Sequence, residues 1–429
     1  MLQYIWKHRL YAEAGLVTTD GTPVFVIDCG LSNPDAGPDF FNAKIRIGDT
    51  VWVGNVEIHE RSSDWVQHHH QRDKSYDTVI LHVVRRHDAN VFRTNGEAIL
   101  QAVLTVPEKI EKNIEWLLSR ETPVACAERL ATATIPPLHL SAWMSALLTE
   151  RLERKTGDIF VRLKNNFKDW NEVFYLTLVR NFGFGVNGDA FELLAASLPY
   201  KYILKHRNNP LQIEALFFGQ AGLLEDESSP NVPIQDDDDV YRLFLRREYN
   251  FLQKKYHLQP VDSFLFKKLR IRPANFPYVR IAQLAALWIA HDVLFSKILE
   301  TTDIKTLRNF FRVEPSGYWK NHYGFHAVSD AKNKPVGKYA LDILLINTVV
   351  PTLFAYGKYQ NRPEFCERAL QLLEEIKPER NSIVTLFRQS GFSVKNAGDT
   401  QALIQLRRAY CDKKKCLYCR IGFRMIGNS

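Results

Sequence analysis

Short runs of apolar residues, separated by turn residues, dominate the first part of the chain. Residues 2–12 have the apolar spacing of a helix, and three β-like runs follow, TPVFVID, FFNAKIRI and VWVGNVEI. Gly48-Asp49 joins the last two runs, which predicts a tight hairpin. A capped helix is predicted over residues 65–73, followed by a strand, TVILHVV, that is apolar on both faces and therefore buried. Asn95-Gly96 predicts a second hairpin before this domain ends near residue 123.

From about residue 136 the apolar spacing becomes helical nearly throughout. We therefore predict an α/β N-terminal domain with a mixed sheet over residues 1–123, followed by a larger all-α region over residues 124–429 that ends in a Cys-rich basic tail. The two most apolar stretches, residues 281–295 and 340–356, are interrupted by polar residues or proline, so we predict buried helices and no membrane span. The first residues lack the continuous apolar core of a signal peptide, so a cytoplasmic location is expected.

The composition adds a weak preference for a polyanionic partner. The chain has 429 residues, of which 45% are apolar, so it can bury a large core. Its net charge of +8 favours nucleic acid as a partner, because lysine and arginine gain affinity by releasing counterions from phosphates. The excess is modest for this length, and a basic surface without a specific partner is the alternative. The composition does not determine the oligomeric state.

Two carboxylates and a histidine are placed where adjoining strands can bring them together. Asp39 opens the first strand of the hairpin, after Pro38, and Glu57 lies near the end of the second. Because strand side chains alternate, Glu57 and His59 share one face. A pair of carboxylates with a polar neighbour can bind Mg²⁺ or Mn²⁺ and direct a water molecule at a phosphodiester. We therefore expect Asp39, Glu57 and His59 to form a catalytic site.

Polar residues follow Glu57 at an unusual density for a folded core. On the predicted helix, Asp64 and His68 are four residues apart, and His70 and Asp73 are three apart, so each pair shares a face. These residues are expected to add a metal ligand or a proton shuttle. The alternative is a solvated helix face with incidental histidines.

His82 lies inside the apolar strand that follows, where a buried imidazole needs a hydrogen-bond partner. Glu57 or Asp39 on a neighbouring strand is the candidate partner, and a histidine satisfied by the backbone is the alternative. Lys44, on the first strand of the hairpin, can supply positive charge to the same site.

Three cysteines near the end of the chain, Cys411, Cys416 and Cys419, have the spacing C-x4-C-x2-C. The C-x2-C half matches the knuckle that points two thiolates at one zinc ion. Cys126, just after the first domain, is a candidate fourth ligand. An iron–sulfur cluster suits the same thiolates, and free thiols in a basic tail are the alternative. Other candidates for the fourth position are His322, His326 and Cys366.

Two groups of basic residues are candidates for contacts with nucleic acid. One surrounds the tail cysteines and is predicted to contact a phosphate backbone, unless it only solubilises the tail. The other is interleaved with aromatic residues and can clamp a single strand, although cations over a packed aromatic cluster are commoner. The tail group is Arg407, Arg408, Lys413, Lys414, Lys415 and Arg420, and the second group is Lys267, Lys268, Arg270, Arg272 and Arg280. Gly183, Gly185 and Gly188 give G-x-G-x-x-G after a predicted helix and not after a strand, so a dinucleotide site is not expected.

The order helix, strand, Pro-Asp, strand with Glu-x-polar, helix, strand resembles the core of the PD-(D/E)XK phosphodiesterase superfamily, the restriction-endonuclease-like fold, over residues 2–84. The resemblance implies that Asp39 and Glu57 coordinate Mg²⁺, that Ile58 offers its carbonyl, and that His59 takes the place of the lysine that orients the water. A neutral imidazole accepts a proton but supplies no fixed positive charge, so His59 is either the base or the mark of an altered site. The blocks GPDFFNAKI, GNVEIHERSSDW and RPANFPYVRIAQLA also resemble a family of uncharacterised bacterial proteins, which implies no function.

These observations favour a metal-dependent nuclease, or a nuclease-like protein, that acts on DNA phosphodiesters. It would use Mg²⁺ or Mn²⁺ at the carboxylates and zinc or an iron–sulfur cluster at the tail cysteines. The main alternative is a non-catalytic nucleic-acid-binding or scaffold protein on the same fold. A third hypothesis is a hydrolase of another phosphoester that uses the histidines as additional metal ligands. No membrane partner is expected.

Overall fold

The computed structural model describes residues 1–12, 16–130, 135–225, 239–325 and 328–427. Contacts divide the chain into two compact units, Met1–Trp143 together with Leu406–Ser429, and Met144–Gln405. The mixed sheet in the N-terminal part and the larger helical part that follows agree with the prediction from the sequence. The tail that begins at Leu406 groups with the sheet, whereas the sequence predicts that it belongs with the helical region over residues 124–429.

In the described part of the chain, seven strands form the mixed sheet, in the order β2-β1-β7-β6-β5-β4-β3. The pairs β5–β6 and β6–β7 are parallel, and the other neighbours are antiparallel. Because β2 also pairs with β4, six of the strands close into a ring. The strands are β1 (Leu16–Thr18), β2 (Pro23–Asp28), β3 (Leu31–Ser32), β4 (Phe40–Ile47), β5 (Thr50–Arg61), β6 (Val79–Arg86) and β7 (Gln101–Val103).

The hairpin predicted at Gly48-Asp49 is confirmed, since Ile47 pairs with Thr50 across this two-residue turn. Gly48 has a φ of 56°, in the left-handed region that glycine adopts without strain. Near its end β5 buries four successive residues, 56–59. Both faces of the strand are therefore covered where Glu57 and His59 lie.

The single helix predicted over residues 65–73 is wrong. The structure has a one-turn helix, α2 (Asp64–Gln67), and then a 3₁₀ turn (His70–Arg72). Between them His69 has a φ of 63°, a left-handed conformation through which an α-helix does not continue. The second predicted hairpin is also shorter than expected. A single antiparallel bridge between Phe92 and Ala98 replaces the paired strands that the sequence predicts there.

Helices make up most of the rest of the chain. The first unit contains α1 (Leu2–Lys7), α3 (Glu108–Ser119), α4 (Ala127–Leu130) and α19 (Arg420–Gly427), and α5 (Pro137–Asn165) contains the division at Trp143. The helices of the second unit are α6 (Trp170–Phe182), α7 (Gly188–Ser197), α8 (Tyr200–His206), α9 (Pro210–Gln220), α10 (Val240–Tyr256), α11 (Pro277–Ala290), α12 (Leu294–Glu300), α13 (Ile304–Phe311), α14 (Lys338–Leu344), α15 (Val350–Gln360), α16 (Pro363–Glu375), α17 (Ser382–Gln389) and α18 (Ala397–Gln405). A π-helical segment, Leu345–Val349, joins α14 to α15.

The core of the helical unit is built from apolar side chains of α6, α9, α11 and α15, among them Phe174, Phe218 and Leu284. Within the described residues, one helix, Lys338–Gln360, is long and apolar enough to cross a membrane, and a bent pair, α11 with α12, would make a second. Of the apolar window in the first of these, 83% is buried inside the protein, as expected of a core helix.

Candidate metal centre

The predicted acidic pair meets beside the end of β5. Asp39 immediately precedes β4, and its backbone N–H donates to Glu57 Oε2 at 3.0 Å. The backbone N–H of Ile58 donates to Asp39 Oδ2 at 3.1 Å, and the Gln3 amide donates to Asp39 Oδ1. Glu57 is buried, with 5% of its surface exposed, whereas Asp39 is half-buried. Burial, followed by repulsion from Glu57, raises the pKa of Asp39 to about 7.

Three histidines converge beside this pair. His59 is two residues after Glu57 on β5, and His68 and His70 flank the left-handed residue His69. One ring nitrogen from each of His59, His68 and His70 lies within 4.8 Å of the other two. His68 Nδ1 is 3.0 Å from His59 Nε2. On a continuous helix, residues two apart do not face each other, so the turn at His69 is what brings His68 and His70 together.

Glu57 places its other carboxylate oxygen against this histidine group. Oε1 lies 3.4 Å from His59 Nε2 and 3.5 Å from His70 Nε2. His70 Nε2 is buried and has no hydrogen-bond partner. Most buried polar atoms are paired, so an unpaired ring nitrogen beside further donor atoms indicates a ligand site. Three imidazoles and a carboxylate are a donor set typical of a transition-metal ion.

His82 lies behind His59 and is fully buried. The parallel register of β5 and β6 sets His82 opposite Glu57, but its Nε2 contacts His59 Nδ1, at 2.9 Å, and not the predicted acidic partners. Burial lowers the pKa of His82 to about 3 and that of His59 to about 4, so both rings are neutral at pH 7. The tautomer with its proton on His59 Nδ1 donates to His82 and leaves the lone pair of His59 Nε2 facing His68.

Aromatic rings enclose the inner side of the centre. His70 stacks on Tyr76 with the ring centroids 3.7 Å apart, and the fully buried Trp65 packs edge-on against His70 at 5.2 Å. Trp65 is itself held by a hydrogen bond from its indole N–H to the backbone of Phe92. Of the three clustered histidines, His59 and His70 are buried and His68 is exposed, so solvent reaches the centre beside His68.

Two side chains predicted to assist the site have other positions or partners: Lys44 lies away from it, and the carboxylate of Asp73 bonds elsewhere. Lys44 is exposed and pairs with Val53, which places it about 13 Å along β4 from Phe40 and the acidic pair. Asp73 caps the 3₁₀ turn that follows it, since its carboxylate accepts the backbone N–H of Ser75 at 2.9 Å. This hydrogen bond lowers the pKa of Asp73. Its role in the structure is therefore that of a cap.

The four predicted thiol ligands belong to the first unit. Cys126 immediately precedes α4, and Cys411, Cys416 and Cys419 lie between α18 and α19. Burial, followed by repulsion from Cys419 and Cys416, raises the pKa of Cys126 to about 12, and burial followed by repulsion from the other three thiols raises that of Cys411. These four thiols are therefore neighbours. Among the described residues, the histidine group is the one in which three ligand atoms all lie within 4.8 Å of one another. No three of the four sulfur atoms are gathered this closely.

The alternative metal ligands and the basic residues of the tail have different hydrogen-bond partners and different exposure. His322 and Cys366 each donate a hydrogen bond to a backbone carbonyl of the second unit, and His326 lies outside the described residues. Arg407 bonds both to Asp412 and, at 2.8 Å, to the carbonyl of Pro123, so it holds the tail in place. The exposed tail cations are Arg408, Lys413, Lys414, Lys415 and Arg420.

Residues 1–382 match the family described as "Protein of unknown function (DUF2851)". The chain belongs to this family. No curated protein and no solved structure matches the chain. The resemblance to an uncharacterised family is thereby confirmed, whereas none of these comparisons supports the resemblance to the PD-(D/E)XK superfamily. What the centre does must therefore be inferred from its geometry.

Proposed function

We propose that this protein is a divalent-metal-dependent hydrolase of phosphodiester bonds in nucleic acid, with DNA as the favoured substrate. The observation that carries the proposal is the clustering of His59, His68 and His70, with a buried oxygen of Glu57 beside His59 and His70. A metal ion held there would lower the pKa of a bound water and polarise a phosphoryl oxygen. Imidazole ligands favour Mn²⁺, Zn²⁺ or Fe²⁺ over Mg²⁺, which prefers oxygen ligands.

The surrounding side chains position these ligands. Asp39 binds Glu57 Oε2 through its backbone N–H, which leaves Oε1 facing the histidines. His82 holds the ring of His59 from behind. The exposed edge at His68 is where a phosphate would approach the ion.

The Mg²⁺ or Mn²⁺ site at Asp39 and Glu57 that the sequence predicts is the alternative arrangement for the same reaction. Both oxygens of Asp39 and one oxygen of Glu57 already accept hydrogen bonds. The histidine group instead contains a buried ring nitrogen, His70 Nε2, that has no hydrogen-bond partner. We therefore favour the histidines as the ligands and Asp39 as a positioning residue.

The order of the elements supports a core like that of the restriction endonucleases. Along the chain come α1, the strands β1, β2 and β3, Pro38-Asp39, the β4–β5 hairpin with Glu57 and His59, then α2 and β6. Apart from the additional short strands β1 and β3, this is the order on which the resemblance to the PD-(D/E)XK superfamily depends. A histidine-rich centre at the corresponding place fits the replacement of that superfamily's lysine by His59.

The test is cleavage of labelled single- and double-stranded DNA by metal-free protein supplied with Mn²⁺, Zn²⁺ or Mg²⁺ in turn. We expect cleavage by the wild type and a loss of at least a hundredfold in His68→Asn and Glu57→Gln. His69→Asn is the matched control, because this exposed neighbour lies outside the cluster. If the wild type cleaves DNA and the two ligand variants cleave it equally well, the assignment is wrong. Full activity of His68→Asn with Mg²⁺ would instead favour the Asp39 and Glu57 arrangement.

A non-catalytic nucleic-acid-binding protein is the second candidate, and the burial of Glu57, His59 and His70 favours it. The exposed cations of the tail would then contact the phosphate backbone. This candidate predicts salt-sensitive binding without cleavage in any divalent metal. Binding should weaken when Lys413 and Lys415 are changed to glutamine.

A zinc ion or an iron–sulfur cluster at Cys126, Cys411, Cys416 and Cys419 is a separate proposal. It is supported by Gly422, where a Cβ would clash with the carbonyl of Cys416, so glycine alone allows α19 to begin against this turn. Burial raises the pKa of Cys419, and hydrogen bonds from backbone N–H groups at the start of α19 act in the opposite direction. Tetrahedral zinc binds sulfur at about 2.3 Å, so the four side chains would have to draw together on binding.

A further inference from the structure

A basic cavity of about 270 Å³ lies in the helical unit, between the loop that follows α6 and the start of α11. Its lining includes Phe184, Arg270, Arg272, Asn275 and Arg280, and in the described part of the chain no aspartate or glutamate lines it. The glycine-rich segment and the basic aromatic segment of the sequence both contribute to its walls. Three guanidinium groups with no acidic residue among the described lining residues make the cavity electropositive.

Arg280 is the buried member of this group, with 7% of its surface exposed. Its Nη1 donates to Gln283 at 2.8 Å, its Nη2 donates to Asn275 at 2.5 Å, and the guanidinium lies 4.0 Å from the ring centroid of Phe184. All of these partners are neutral, and Arg280 Nε is buried without a hydrogen-bond partner. A buried charge that has neither an acidic partner nor a full set of hydrogen bonds is destabilising, and a bound anion would offset that cost.

The backbone fixes the other walls of the cavity. The side-chain amide of Asn187 donates to the carbonyl of Lys267 at 3.0 Å and accepts from the N–H of Lys267 at 2.8 Å. These two hydrogen bonds join the loop after α6 to the basic segment. A Cβ at Gly183 would clash with the backbone of Asn187, so the loop requires glycine there. Helix α11 begins with Pro277 and has no side-chain cap. Its uncapped first turn adds the positive end of a helix dipole to the arginines.

We propose that this cavity binds the terminal phosphate of a phosphorylated small molecule of nucleotide size. Guanidinium groups bind phosphate oxygens with paired hydrogen bonds. Three of them together with a helix N-terminus match a doubly charged monoester better than a singly charged diester. The volume is close to the lower end for small-molecule sites, and Phe184 offers an apolar surface to the rest of the ligand. This site is independent of the proposed metal centre.

Isothermal titration calorimetry on the full chain, at constant ionic strength in chloride, tests the proposal. The probes are inorganic phosphate, adenosine 5′-monophosphate, adenosine and an oligonucleotide without terminal phosphates. We expect saturable binding of the first two, tighter for the nucleotide, and none for adenosine. Arg272→Gln changes an exposed lining residue and should weaken nucleotide binding at least tenfold. Lys267→Gln is the matched control, since its exposed side chain does not line the cavity, and it should change affinity less than twofold.

The proposal is overturned if neither phosphate nor the nucleotide binds, or if the two variants weaken binding equally. Binding of the unphosphorylated oligonucleotide as tightly as the nucleotide would overturn it as well, in favour of a diester site. A second readout uses the Nε–H resonance of Arg280, which we expect to shift on addition of phosphate to the folded wild type. An unchanged resonance at saturating phosphate would place the anion elsewhere.

Discussion

Replacing His68 is the sharpest perturbation of the proposed metal centre, because it removes one ligand from the surface without opening the core. His68 is exposed, whereas His59 and His70 are buried. In the metal-free protein, His68→Asn removes the hydrogen bond to His59 Nε2 and should cost about 1 kcal/mol of unfolding free energy, which the comparison within each protein, with and without metal, takes into account. His69→Asn is the matched control, because His69 is also exposed and its φ of 63° lies in a region that asparagine tolerates.

The expected magnitude follows from the linkage between metal binding and folding. An ion at a free concentration one hundred times its dissociation constant stabilises the folded state by about 2.7 kcal/mol. Loss of one of four ligands should weaken binding at least tenfold, which leaves about 1.4 kcal/mol or less at the same ion concentration. For a unit of the size of the one that contains the sheet, this loss of metal stabilisation corresponds to a melting temperature lower by roughly 3–5 °C.

Thermal unfolding of chelator-treated protein, followed by near-ultraviolet circular dichroism, measures this effect when Mn²⁺, Co²⁺ or Zn²⁺ is added. Trp65 packs against His70 and His82, so its signal reports on the centre itself. Wild type and His69→Asn should gain the same stabilisation, and His68→Asn at most about half of it. Cobalt separates the two kinds of site, because sulfur-to-metal charge-transfer absorption arises only at cysteines. Equal gains in all three proteins, or no gain in the wild type with any of these ions, would refute the histidine centre.

Three further predictions concern other parts of the chain. Burial raises the pKa of Glu214, so its contribution to stability is complete below its ordinary pKa of 4.5 and is lost as the pH rises through the folded pKa. Glu214→Gln should therefore flatten the fall in unfolding free energy that begins above pH 4.5, measured by urea titration at a series of pH values, and an unchanged profile would contradict this. A Cβ at Gly219 would clash with a buried tyrosine ring, so Gly219→Ala should cost about 1–3 kcal/mol in urea unfolding. The control Gly157→Ala, on an exposed helix surface with open space, should gain about 0.5–1 kcal/mol, and equal effects would contradict the clash. Cys126→Ser should lower the zinc or iron content found by mass spectrometry by one site, and an unchanged content would exclude Cys126 as a ligand.

The local pattern of the sequence predicts the strands around the centre but not the way they close. The β4–β5 hairpin depends on alternation and on the two-residue turn Gly48-Asp49, which are both local features. The ring is closed by pairs such as Val17 with Val103 and Val24 with Ile47. Such pairs join segments far apart in the sequence, and no short window of residues contains that information.

The candidate site could be predicted in its residues but not in its geometry. All four histidines of the centre are identified from the sequence, but on one continuous helix His68 and His70 would point in different directions. The left-handed turn at His69 could not be foreseen, because histidine with a positive φ is uncommon. The spacing itself was the available signal, since Glu57-x-His59 and His68-x-His70 each place two donors on alternate positions. Side chains two residues apart point to the same face of an extended strand, but they point in different directions in a helix.

The two proposed ligand sites follow from the same physical argument, but one would bind a cation and the other an anion. His70 Nε2 and Arg280 Nε are both buried without hydrogen-bond partners, and each adjoins further groups of its own kind. Around His70 these are ring nitrogens and the carboxylate of Glu57, which attract a cation, whereas around Arg280 they are guanidinium groups, which attract an anion. The contact of 3.0 Å between His68 Nδ1 and His59 Nε2 requires a shared proton in the metal-free protein. A metal ion can bind both nitrogens only when that proton lies on the other nitrogen of the His68 ring, so binding requires His68 to change tautomer.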